Sequence, residues 1–82
     1  MTQTVWVTRY DDHEFADLEG VYSTKEKALN AVQANAERCE WTDMVLISEG
    51  EGWVIYLFHY KEIGVDFITY TGEVCISEKE IE

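Results

Sequence analysis

Residues 20–39 read GVYSTKEKALNAVQANAERC, and this stretch decides the fold. Gly20-Val21-Tyr22 is a short β-type run that feeds directly into a helix start. Ser23 followed by Glu26 has capping-box spacing: the hydroxyl accepts a backbone N–H three residues on, and the glutamate reaches back. Leu29, Val32, Ala36 and Cys39 then recur at intervals of three and four, which places them on one narrow stripe facing a core. Alanines at 28, 31, 34 and 36 favour helix and allow close approach to a sheet. A helix over 24–39 follows, with Lys25, Lys27, Gln33 and Glu37 outward.

Everything else reads as strand or loop. Thr4–Tyr10 is β-branched and aromatic throughout, with Val5 and Val7 on one face and Trp6, Thr8 and Tyr10 on the other. Met44–Ser48 is an apolar run, and Glu49-Gly50-Glu51-Gly52 supplies hairpin glycines able to take positive φ. Trp53–Tyr60 is apolar at odd and even positions alike, so it belongs inside a sheet. Glu62-Ile63-Gly64 reads as a turn and Asp66–Tyr70 as a strand. Thr71-Gly72-Glu73 reads as another turn and Val74–Ser77 as the last strand, with a frayed tail from Glu78.

The expectation is a single α+β domain over residues 1–82, ordered β-β-α-β-β-β-β. One helix packs on one face of a mostly antiparallel sheet. Since one helix covers one face, the other is expected to expose some of Trp6, Tyr10, Tyr56, Phe58, Tyr60 and Tyr70, a patch of the kind that marks an interface.

Charge bounds the function. Seventeen acidic side chains stand against six basic ones in 82 residues, a net charge of -11. Phosphate contacts need basic groups, and Arg9, Lys25, Lys27, Arg38, Lys61 and Lys79 are diluted by acids, so direct nucleic-acid binding is disfavoured. The same surface repels anionic membrane and steers the chain toward basic partners. Disordered acidic chains are poor in aromatics. Three Trp, five Tyr and three Phe here predict a folded core instead.

No cofactor or metal site is expected. His13 and His59 lie 46 positions apart without ligand-spaced neighbours, and Asp11-Asp12-His13-Glu14 lacks the ligand alternation and central glycine of a calcium loop. Ser23 is committed to capping, and Ser48 and Ser77 have no glycine-flanked elbow. Cys75 with His59 would need a third, orienting group. The chain reads as non-enzymatic. Cys39 and Cys75 suggest two reduced, structural thiols. With no secretory signal in Met1–Trp6 and no apolar run near 20 residues, the location expected is the cytoplasm.

Val5-Trp6-Val7, followed by Glu19-Gly-Val-Tyr-Ser-Thr-Lys-Glu-Lys-Ala-Leu-Asn-Ala-Val32, resembles a pattern in small uncharacterised bacterial and bacteriophage proteins. It covers about the first half of the chain. What it implies is a phage or mobile-element accessory protein that binds one host protein in the host cytoplasm; it carries over no functional residues.

The expected function is therefore an acidic binding protein that inhibits or modulates a host defence or nucleic-acid-handling protein. Its partner would be a basic surface of a host protein or of a protein–nucleic-acid complex. The expected contact surface joins the solvated acidic loop 11–19 (Asp11, Asp12, Glu14, Asp17, Glu19) to exposed Tyr10, Tyr56, Phe58 and Tyr60. Aromatics would anchor and carboxylates would steer. One alternative is a non-catalytic structural homodimer closed through the exposed sheet face. Another is a nucleic-acid mimic, with Glu40, Asp43, Glu49, Glu51, Glu62, Asp66 and Glu73 extending the acidic row into a basic cleft.

Overall fold

The computed structural model describes residues 3–11, 13–61, 64 and 68–81, with backbone alone at 13 and 14. Strand β1 (Gln3–Tyr10) leads into a 3-10 segment (His13–Leu18) and the short β2 (Gly20–Tyr22). Helix α1 (Lys25–Arg38) then crosses to the far edge, where β3 (Thr42–Gly50), β4 (Trp53–Tyr60) and β5 (Tyr70–Ile81) form a meander. The five strands are ordered β2-β1-β5-β4-β3, and every pairing is antiparallel. This is the expected α+β architecture, one helix on one face of the sheet, and β4 lies inside it as its two-faced apolarity implied.

Both helix ends are set locally, and the start differs from expectation. Thr24, not Ser23, is the N-cap: its hydroxyl accepts the Lys27 N–H at 3.1 Å. Glu26 is thus one position too early to reach back, and Ser23 Oγ instead accepts from Lys27 Nζ at 3.0 Å. At the other end Trp41 N–H donates to Ala36 O at 2.9 Å and Glu40 N–H to Glu37 O at 3.4 Å. This is a Schellman pattern, with Glu40 at φ 57° in the position usually given to glycine. The reversal delivers Trp41 to the core.

The even positions of the strands face the helix. Val54, Ile76 and Thr8 lie level across β4, β5 and β1, and so do Tyr56, Val74 and Tyr10. Ala28 and Val32 of α1 are fully buried above them, while Leu29, Ala36 and Cys39 pack at the margin. The helix rests on β1, β2 and β5. Over β4 the cover comes from Trp41, stacked on Phe58 at 4.0 Å between ring centroids, and from Phe15, edge-on to Trp41, Phe58 and Tyr60. Trp41 Nε1 is buried without a hydrogen-bond partner. That costs about 1–3 kcal/mol. Burying a ring of roughly 200 Å² returns about 5 kcal/mol, so the placement is favourable.

Two segments differ from the sequence expectation. Thr71-Gly72-Glu73 is not a turn but the start of β5, and Glu78–Ile81 is not frayed but paired with Gln3–Trp6 of β1. Gly72 lies opposite Phe58, and a Cβ there would sit 2.7 Å from the ring's Cζ, so the glycine makes room for the ring. The strand expected over 66–70 and the turn at 62–64 fall mostly outside the described residues.

Candidate binding surfaces

The acidic stretch is not a free loop. Phe15 and Leu18, three apart on a 3-10 segment with three residues per turn, project the same way. Phe15 is buried and Leu18 packs against the core. At the segment's start Asp11 is clasped to β5: its N–H donates to Glu73 O at 3.2 Å and its Oδ1 accepts Glu73 N–H at 2.8 Å. Asp11, Asp17 and Glu19 are all exposed. Asp12 and the side chain of Glu14 lie outside the described residues.

The cations of α1 do little to neutralise this side. Lys25 Nζ lies over the Trp6 ring at 5.8 Å, Lys27 donates to Ser23, and Arg38 donates to Asn35 Oδ1. Each of these contacts is to an uncharged group. Exposed Glu26, Glu37 and Glu40 share the helix layer with Asp17 and Glu19.

The expected aromatic face is corrected. Tyr10, Phe58 and Tyr60 are core residues, 8%, 0% and 6% exposed, and Tyr56 is half-buried against the same core. All four occupy even positions, on the side that α1, Trp41 and Phe15 cover. Tyr10 OH also accepts from Asn35 Nδ2 at 3.3 Å. Burial raises the Tyr10 phenol above its ordinary value of 10.0, and the Asn35 hydrogen bond opposes this only in part. The folded state therefore holds the phenolic proton more tightly than the unfolded chain. The stability linked to Tyr10 is full below pH 10 and is lost as pH rises through the raised folded value. Urea midpoints taken at pH 9 and pH 11 should drop further for the wild type than for Tyr10→Phe. An equal drop removes Tyr10 as the cause.

The uncovered face carries the odd positions instead. Level with one another across β2, β1, β5, β4 and β3 run Val21, Val7, Ser77, Trp53 and Gly50; the next row holds Arg9, Cys75, Ile55 and Ser48. Leu57 and Val45 extend the apolar area past Glu73. Val21 is 63% and Val45 53% exposed. Along the middle runs a shallow groove of about 420 Å³ lined by Arg9, Ile55, Glu73, Cys75, Ser77 and Lys79 among others. Sequence reasoning passed over these residues, although the odd positions of β4 are as apolar as its even ones.

Cys75 and His59 share that face but do not meet. Cys75 pairs with Ile55 and His59 with Thr71, so they are about 14 Å apart along the strands. His59 Nδ1 is 3.2 Å from Thr71 Oγ1. Cys39 and Cys75 are both free thiols. Among the described residues no group of three or more His, Cys, Asp or Glu is placed to hold a metal ion, and no helix is long and apolar enough to cross a membrane. Compared with known proteins, the chain matches no family model, no curated protein and no solved structure.

Proposed function

We propose that this chain is a non-catalytic binding protein that engages a basic surface of another macromolecule through the acidic 3-10 and helix side. The observation that carries this reading is the anchoring of the acidic segment. A stretch kept only for solubility has no need of a fixed backbone, yet Phe15 and the Asp11 clasp hold Asp17 and Glu19 in place. Preorganisation of that kind lowers the ordering cost of association. The finer form is a phage-encoded modulator of a host defence or nucleic-acid-handling protein, working in the host cytoplasm. It draws on the resemblance of residues 5–32 and on the net charge of -11.

The test uses two variants of equal charge. Asp11→Asn/Asp17→Asn/Glu19→Gln and Glu49→Gln/Glu51→Gln/Glu80→Gln each remove three carboxylates, taking -11 to -8. Tagged wild-type protein and both variants are exposed to bacterial lysate, and captured proteins are identified by mass. A specific partner should be lost with the first variant, kept with the second, and released as salt rises from about 0.1 to 1 M, where screening shortens from about 10 to 3 Å. Equal retention by both variants means that bulk charge, not this surface, does the binding.

A further inference from the structure

We propose that the uncovered sheet face is closed by the same face of a second copy of this chain, with the two β5 strands antiparallel across the interface. This stands apart from the partner reading above, because it uses the opposite side of the molecule.

Size gives the first argument. A compact chain of 9.5 kDa exposes about 5,000 Å². This one exposes 5782 Å². The excess is close to the roughly 800 Å² that each partner contributes to a standard interface. The radius of gyration, 13.5 Å, likewise exceeds the value of about 12 Å expected for this length. Five strands at about 4.8 Å spacing and some 25 Å long offer an area of the same order. The open face of this elongated molecule, 51 × 23 × 18 Å in extent, is therefore large enough to supply one side of a standard interface.

Charge selects the occupant. The face carries Arg9 and Lys79, two of only six basic residues, against Asp11 and Glu73, so it lacks the acidic surplus that suits a basic partner to the helix side. Along β5 the open-face positions read Glu73, Cys75, Ser77, Lys79, negative at one end and positive at the other. A two-fold axis perpendicular to the strands, passing near Ile76, sets Glu73 of one copy against Lys79 of its mate. Cys75 and Ser77, both small, meet in the middle, and Val5, Val7, Ile55 and Leu57 pack around them. A two-fold along the strands would instead stack Glu73 on Glu73. Packed aligned, the two sheets would lie about 10 Å apart, with both acidic helix layers outward.

Sedimentation velocity over 1–200 µM chain tests this. The expected mass is twice 9.5 kDa. The dimer should tighten as salt rises from about 0.1 to 1 M, because screening weakens repulsion between two bodies of charge -11. Binding of a basic partner should change the opposite way, so the two readings fail separately. Trp53, 36% exposed on this face, should shift its emission to the blue as dimer forms. Ser77→Arg, which sets two cations against each other near the axis, should leave a monomer with unchanged far-UV dichroism. Glu73→Lys or Lys79→Glu alone should weaken association about five- to tenfold, and the double exchange should restore it. A monomer at every concentration and salt overturns the proposal. So does a dimer that survives Ser77→Arg, which would point to pairing at the β3 edge, or single charge exchanges that strengthen association.

Discussion

Phe58→Ala should lower the unfolding free energy by about 4 kcal/mol, the middle of the range for removing a buried phenylalanine. A domain of this length holds only about 4–12 kcal/mol in all, so the loss is about a third of the total or more. The size of the effect follows from the position. Phe58 is fully buried, stacked on Trp41, near Tyr10, Phe15 and Tyr60, and seated over Gly72. No neighbour can collapse into the space, since the sheet backbone lies beneath and Trp41 is fixed by the helix C-terminus. Gly72→Ala attacks the same contact from below. Its Cβ would lie 2.7 Å from the ring, and with Phe58 unable to retreat the cost should be about 1–3 kcal/mol. Urea unfolding followed by far-UV dichroism reads both. A loss below 1 kcal/mol for Phe58→Ala contradicts the packing described.

Phe15→Ala should behave differently, although it also removes a buried ring. Its segment connects β1 to β2 and can lift from the sheet without unpairing a strand, so part of the loss appears as local opening. The expected cost is about 3 kcal/mol in global stability, at the low end for this substitution. Amides of residues 13–19 should exchange with solvent far faster, while those of β4 and β5 change only in step with global stability. Partner capture should fall with it, because Asp17 and Glu19 lose their fixed position. Phe15→Leu, which keeps an apolar plug, should restore most of the capture. If Phe15→Ala folds and captures like the wild type, the acidic segment does not depend on its anchor.

The fold class was legible because local signals agreed with tertiary demand. The alanine-rich helix after a capping hydroxyl, the β-branched 4–10 run and the 53–60 strand each formed where periodicity placed them. Smaller misreadings have particular causes. Ser23 and Thr24 are adjacent hydroxyls, and either can cap. Gly72 looks like a turn residue until the Phe58 ring above it is known. The polar tail Glu78–Ile81 pairs through its backbone with β1, which needs no apolar side chain. The acidic stretch hid a single buried phenylalanine, for which the three-residue spacing to Leu18 was the only local sign.

The candidate surface was less legible than the fold. Trp53–Tyr60 is apolar on both faces, so alternation does not decide which side the helix covers, and the aromatic positions lie on the covered side rather than the wet one. The cover over β4 comes from Trp41 and Phe15, which are remote from it in sequence. What remained open was the aliphatic odd face. The two kinds of surface are therefore on opposite sides of the molecule, the charged one with the helix and the apolar one beneath the sheet.

The most direct measurement is amide exchange of the chain alone and in complex with its captured partner, at a concentration where self-association is constant. Protection gained over residues 13–19 and the exposed side of α1, with β3 and β4 unchanged, is the expected outcome. Protection confined to β3 and β4, with residues 13–19 exchanging as in the free protein, would show that the acidic side is not the surface that binds.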